Sequence, residues 1–303
     1  MFESSYQVIE NIHQAVLDQD FHAKVQDNDA SLSSQASSDL IAQYWKYKQT
    51  RRAKIRNHNV RKFMDRYAMK LVPAENIEGL EKITDLHTGA IVTSNHFSPL
   101  ENLAVRSAVR HAGYQNLSIV SQETNLMAAY PLHFIFWNYD LIPISSQGVG
   151  MEYMGREFPH RLETTLTQGN PILIYPEQEM WYNYRKPRPL QRGAYYYAAR
   201  FNVPIISLFV EIIQDDELAN DDFYKTHYRV HVLEPISPDP GQSIKANSVR
   251  MQELDYQQKC QAYEKVYHRP LSYHWEDTDI AGLRPRRQSE ISTPVPAPDR
   301  SLS

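Results

Sequence analysis

Ile91-Val-Thr-Ser-Asn-His-Phe-Ser-Pro-Leu-Glu101 reads as the end of a strand, a turn and the start of a helix. The apolar, β-branched opening suits a buried strand ending at Ser94. Pro99 fits the first helical position, where its missing N–H costs nothing. His96 therefore falls at the carboxyl end of a strand, the place where open α/β sheets bind ligands. Glu101, in the first helical turn, has two partners in reach. It can hold the tautomer of the imidazole and stabilise the imidazolium formed when His96 takes a proton. As the last member of Ser98-x-x-Glu101 it can instead close a capping box on the N-cap backbone. The spacing admits both.

Outward from this block the same alternation repeats. Apolar β-branched runs occur at Ala90–Ser94, Leu117–Ser121, Leu141–Ile144, Pro171–Tyr175, Pro204–Val210 and Tyr228–Leu233. Helix-compatible segments Pro99–Ala112, Thr124–Trp137, Gly155–Gln168 and Arg192–Phe201 separate most of them, and a polar helix over Ser243–Tyr267 follows the last. This pattern predicts an α/β fold, a mixed and largely parallel sheet flanked by helices. Upstream, a short helix around Val8, Ile9, Ile12, Val16 and Leu17 and a polar linker fill residues 1–38. Residues 39–80 form a basic amphipathic helical segment, and 81–283 hold the α/β domain. The Pro- and Ser-rich tail, 284–303, reads as disordered.

Composition narrows the function. The chain has 303 residues, 42% hydrophobic and 22% charged, with a formal charge of −4; this is a soluble globular balance, not that of a general polyanion binder. A single cysteine, Cys260, excludes a disulfide framework, a multi-thiolate zinc site and an iron–sulfur cluster. No phosphate-binding P-loop is present, and Gly148, Gly150 and Gly155 have the wrong spacing for a dinucleotide fingerprint. Met1–Glu10 lacks the basic start of a secretory signal. Tyr130–Ile144 and Val203–Ile213 are too short to span a bilayer. These features predict a cytoplasmic protein.

Asn170-Pro-Ile-Leu-Ile-Tyr-Pro-Glu-Gln178 is a second buried strand that ends in a carboxylate, Glu177. Arg185-Lys-Pro-Arg188, then Arg192-Gly193-Ala194 at a helix start and Val203-Pro-Ile205 at a strand start follow it. In this order the blocks resemble the lysophospholipid/glycerol-phosphate acyltransferase superfamily (PlsC-like), over roughly Ile91–Val210. That family carries Asn-His-x4-Asp, Phe-Pro-Glu-Gly-Thr-Arg, Lys/Arg-Gly-Ala and Val-Pro-Ile/Val. The Tyr-Pro-Glu-Gln-Glu-Met-Trp run and its sequel resemble a Gram-positive-type subgroup.

The resemblance implies a PlsC-like fold with His96 as general base and Glu101 as its orienting carboxylate. It implies no bound cofactor and no metal. The co-substrate would be acyl-ACP, acyl-CoA or acyl phosphate, and the acceptor a lysophospholipid or glycerol-phosphate-like lipid. Glu177 would position that acceptor by hydrogen bonds to its hydroxyls or through neighbouring cations. The sequence departs from the family at Glu101, which replaces aspartate, and at Gln178-Glu179-Met180, which replaces Gly-Thr-Arg. Ser145 and Ser146 stand where a second family arginine follows a strand. Arg185, Lys186, Arg188 and Arg192 are the candidate phosphate contacts in their place, and they read equally as a solvated basic loop. The lost arginines also admit a catalytically inactive relative that binds lipid or acyl carrier protein.

The segment Lys46–Lys70 holds ten Lys/Arg and one acid. Val60, Phe63, Met64, Tyr67 and Leu71 follow the spacing of one packed face of a helix over Leu40–Leu71. With Tyr44 and Trp45 as interfacial aromatics, this helix suits docking on a phospholipid membrane surface, peripheral on the inner face of the cell membrane. A solvated face packed on the domain is the other reading. No nucleic acid partner is expected, because no RNP, helix-turn-helix or zinc motif accompanies the charge. His227 and His231 stand four apart, but on an alternating strand pattern that favours a structural role. Ser145, Ser146 and Ser207 lack a nucleophile elbow, and Cys260 lies on a helix face with Tyr263 and Tyr267, as a packing residue does.

Overall fold

A computed structural model describes residues 5–26, 32–145 and 153–285. Strand β2, Ile91–Thr93, lies at the middle of the sheet and is buried at every position, so its Ile-Val-Thr run needs no polar alternation. Seven strands stand in the order β1-β7-β6-β2-β5-β3-β4. The others are β1 (Ile77–Glu78), β3 (Ser118–Gln122), β4 (Leu141–Ile144), β5 (Ile172–Leu173), β6 (Ile205–Leu218) and β7 (Tyr224–Val232). Every pairing is parallel except β6 with β7. The carboxyl ends of β2, β3, β4 and β5 therefore share one edge. Pro143 is tolerated in β4 because that strand closes the sheet.

The eight α-helices among the described residues are α1 (Ser5–Leu17), α2 (Ser34–Lys48), α3 (Arg51–Leu71), α4 (Glu101–His111), α5 (Leu132–Asn138), α6 (Phe158–Thr167), α7 (Gly193–Phe201) and α8 (Ile244–Tyr267). One apolar cluster unites α4 with the strands and α3; a second joins α6, α7 and α8 to the sheet. Gly89 leads into β2 where a Cβ would collide with the Leu166 carbonyl at the end of α6.

The mixed, largely parallel sheet flanked by helices is the predicted fold class, and β4 has the predicted bounds. Strand β6 runs well past Val210, because beyond the core it pairs with β7 on one side and needs apolar side chains at alternate positions only. The two-residue β1 is too short to leave a period in the sequence. Pro131 splits the helix expected over Thr124–Trp137, leaving a 3₁₀ turn at Glu123–Met127 ahead of α5. Ser146 and most of the 284–303 tail fall outside the described residues.

The segment expected as one basic helix over Leu40–Leu71 is two. The break falls at Gln49–Thr50, and the Thr50 hydroxyl caps α3 by accepting the Ala53 N–H at 3.1 Å. Each helix then sets its own buried face. Tyr44 and Trp45 are not interfacial: Tyr44 is buried and donates to the Leu141 carbonyl at 2.9 Å, and the Trp45 indole donates to Tyr153. On α3 the buried face is Ala53, Val60 and Ala68, whereas Phe63 and Tyr67, expected in the packed stripe, are exposed.

Candidate active site

The turn after β2 is fixed from four directions before any side-chain chemistry enters. The Asn95 amide continues the sheet, donating to the Val210 carbonyl at 3.0 Å and accepting the Val210 N–H at 2.9 Å. The carbonyls of His96 and Phe97 accept the N–H groups of Trp181 (3.1 Å) and Asn183 (2.9 Å). The His96 N–H donates to Glu177 Oε2 at 3.1 Å. His96 is thus held as a backbone position by the loop that follows β5.

Glu101 takes the imidazole and also the Ser98 N–H, but no capping box forms, because α4 starts at Glu101 itself with Leu100 as its N-cap. Glu101 Oε1 lies 2.6 Å from His96 Nδ1, and its Oε2 accepts the Ser98 N–H. The carboxylate is buried, and the imidazole is about one-fifth exposed. A carboxylate on Nδ1 selects the tautomer with a proton there, which leaves Nε2 as the basic nitrogen. Tyr175 lies against the ring in a parallel stack, 4.0 Å between centroids and 10° between planes. Burial, then the neighbouring Glu101 carboxylate, push its phenol well above the ordinary range, so it stays protonated.

Glu177 faces the turn after β2 and Arg188. It is buried, and besides the His96 N–H it accepts the Arg188 N–H on Oε1 (3.0 Å) and the Arg188 guanidinium on Oε2 (3.0 and 3.2 Å). Its oxygens are taken up by the turn that carries His96 and by the neighbouring cation Arg188. The cause is plain: a buried carboxylate keeps its charge only when paired and hydrogen-bonded.

The basic loop is also spent internally. Arg188, whose pKa burial holds below its ordinary value, donates to the Phe21 and Glu179 carbonyls and lies 4.5 Å above the Trp181 ring. Lys186 pairs with Asp279 at 2.6 Å and donates to the His274 carbonyl at 2.7 Å. Arg185 donates to the Thr278 carbonyl at 2.8 Å. Arg185 and Lys186 therefore fasten residues 274–279 over the loop, and Arg188 ties it to Phe21 and Glu177. Of the four candidate phosphate contacts, Arg192, at the start of α7, is the exposed one.

Gln178 has φ +66°, a left-handed conformation that an L side chain rarely adopts. The turn is closed by the Gln178 N–H on the Tyr175 carbonyl at 3.2 Å. This strain sits next to the anchor that fixes His96.

Below the turn lies a network that sequence reasoning missed. Asp255 and Lys259, one helical turn apart on α8, are fully buried and paired. Asp255 accepts hydrogen bonds from Thr93 (2.7 Å), Tyr195 (2.5 Å) and Ser207, and Lys259 also reaches Thr93 (3.0 Å) and Ser207 (3.2 Å). It ties α8 and α7 to β2 and β6, three residues before His96. An Asp-x3-Lys pair on a polar helix gave no signal beyond that of a surface ion pair. His231, between Glu211 (2.9 Å) and Glu78 (3.2 Å), pairs with structural carboxylates, as does His227 with Asp215 (2.7 Å). Burial pushes the Cys260 thiol up to about 11, so it carries little thiolate.

Fold and site together define an α/β protein with a histidine–carboxylate pair at the carboxyl edge of its central strand. Residues 74–211 match the acyltransferase family model. Among solved structures the chain is similar to the 1-acyl-sn-glycerophosphate acyltransferase PlsC from Thermotoga maritima. The identity is 15%, the match covers 88% of this chain and 98% of that one, and the TM-score is 0.46. No curated protein matches the chain.

Proposed function

We propose that the protein moves a fatty acyl group from an activated donor to a hydroxyl of a lysophospholipid or glycerol-phosphate-like acceptor. The donor is an acyl thioester, on coenzyme A or acyl carrier protein, or an acyl phosphate. The 2.6 Å contact between Glu101 and His96 Nδ1, inside an acyltransferase segment, carries this reading. His96 Nε2 takes the acceptor hydroxyl proton as the oxygen attacks the acyl carbonyl carbon. Collapse of the tetrahedral intermediate breaks the bond to the thiolate or phosphate, which leaves with the proton held by His96. Glu101 stabilises the imidazolium in between, and Tyr175 keeps the ring in plane.

General-base help of this kind supplies roughly 10²–10⁴ in rate; the remainder comes from aligning two bound substrates. Glu177 acts through Arg188 and the His96 backbone. Arg192 is the cation available to an acceptor phosphate. Among the described residues no helix is long and apolar enough to cross a membrane, and we place the protein peripherally, on the inner face of the cell membrane, where its acceptor resides.

The test is incubation of the protein and its His96→Ala variant with an acyl thioester or acyl phosphate and a panel of lysolipid and glycerol-phosphate acceptors, read by mass spectrometry of the lipids. Acylated product that disappears in the variant supports the reading. Equal product from both proteins removes His96 as the base, and no product from any pair assigns the fold to binding without catalysis.

A further inference from the structure

Two surface features that this chemistry leaves unused meet at one place. Between Glu123 and Asp140 the sequence contains no charged residue, and the middle of that stretch faces solvent. Tyr130 is 84% exposed, and Met127, Leu132 and Phe134 are exposed with it. The segment leaves the sheet at the carboxyl end of β3, the edge that also carries His96. Its shape is fixed from beneath, since the Trp137 indole donates to the Leu126 carbonyl at 2.9 Å and Leu126 is buried in the core. It is a rigid apolar lip.

Beside it runs α3. Arg52, Arg56, Phe63, Arg66, Tyr67 and Lys70 recur at spacings that put them on one face of the helix. The Arg56 guanidinium lies 5.5 Å over the Phe134 ring, which makes this the face next to the lip. Phe63 and Tyr67 are exposed on it and stack on each other. The helix carries eight Lys/Arg against one acid, Asp65, and Asp65 is engaged by the buried Arg106 at 2.7 Å. A face meant only for water has no use for these rings, and exposed apolar groups collected beside cations mark a binding surface.

We infer that the lip and this face of α3 form the surface by which the protein sits on anionic phospholipid. Tyr130, Leu132, Phe134 and Phe63 enter between headgroups, and Arg52, Arg56, Arg66 and Lys70 take lipid phosphates. Apolar residues and cations on one face are the combination that interfacial binding requires. A second copy of the chain would bring like charge to like charge. The inference rests on the reading that the acceptor is presented in a membrane, and it replaces Tyr44 and Trp45 as the interfacial residues.

The experiment is co-sedimentation of the full chain with phosphatidylcholine vesicles, with and without phosphatidylglycerol, at low and high salt. The wild type prefers the anionic vesicles. Tyr130→Ser/Leu132→Ser weakens binding about tenfold at either salt, from lost apolar insertion. Arg52→Glu/Arg66→Glu abolishes the preference for anionic lipid. All four positions are exposed, so both variants keep the wild-type melting curve, and both keep transfer to a water-soluble short-chain acceptor. Wild type that ignores vesicles, or variants that bind as it does, overturns the docking face even if transfer proceeds. A dimer that the same substitutions dissolve, with vesicle binding unchanged, assigns the face to a second copy and also overturns it. Vesicle binding that follows this pattern supports the face even where no acyl transfer is found, so the two readings fail separately.

Discussion

The backbone N–H of His96 donates to the carboxylate of Glu177 at 3.1 Å, joining the turn after β2 to the turn after β5. The same carboxylate neutralises Arg188, and both side chains are excluded from water. Removing one charge of a buried pair strands the other, at a cost of about 3–5 kcal/mol. Glu177→Gln is therefore expected to lower stability by that order and to reduce kcat, because the His96 turn loses its anchor. Glu177→Gln combined with Arg188→Met is expected to recover a large part of the stability. Urea unfolding of the wild type and the two variants checks this; a Glu177→Gln protein as stable as wild type shows that the pair is not the anchor.

Glu101 gives one oxygen to His96 and the other to the Ser98 N–H. Glu101→Gln keeps an acceptor for one of these donors and loses the negative charge that stabilises the imidazolium. Loss of general-base help is worth about 10²–10⁴, so kcat is expected to fall by up to that range with KM little changed. Loss of one of the two hydrogen bonds adds about 1 kcal/mol of destabilisation. Steady-state kinetics and a thermal melt separate the two effects, and a fall in KM-controlled binding alone would falsify the orienting role.

Tyr175 offers its ring to His96 and its hydroxyl to the surroundings of Glu101. Tyr175→Phe retains the stack, so kcat is expected to stay within about tenfold of wild type. Tyr175→Leu removes the flat surface that sets the plane of the imidazole, and a small misplacement of a reacting group costs on the order of 10²-fold. If Phe and Leu are equally impaired, the hydroxyl matters and the stack does not. The upfield ring-current shift of the His96 proton resonances, present in Tyr175→Phe and absent in Tyr175→Leu, reports the geometry without turnover.

The sheet and the His96–Glu101 pair were legible because their signals are local. Buried parallel strands show as apolar runs, and a strand-turn-helix start fits within Ile91–Glu101. Burial of charge is not local. Arg185, Lys186 and Arg188 read as free cations until residues 274–279 and Phe21 fold over them. Asp255 and Lys259 read as a surface pair, since nothing on α8 announces Thr93, Tyr195 and Ser207 beneath it. The outward turn of Phe63 and Tyr67 depends on the Thr50 cap, which separates the phase of α3 from that of α2. A single long helix with one face was the simplest reading of the spacing, and the cap overrode it.

The Asp255–Lys259 pair makes stability depend on acid. Burial alone would raise the Asp255 pKa, but Lys259 and the hydroxyl donors outweigh it and hold the carboxylate below its ordinary value. A group whose folded pKa lies below its unfolded one stabilises the fold above the unfolded value, about 3.9 for aspartate, and loses that contribution as pH falls through the folded pKa. Unfolding free energy is thus expected to be level near neutrality for this group and to decline below about pH 4. In Lys259→Met the opposing charge is gone, burial dominates, and the decline begins at higher pH. That variant is expected to lose about 3–5 kcal/mol at neutral pH, and adding Asp255→Leu should restore part of it. The two curves, taken by urea unfolding from pH 3 to 8, decide the matter: parallel pH dependence in wild type and Lys259→Met would mean that Lys259 does not set the charge of Asp255.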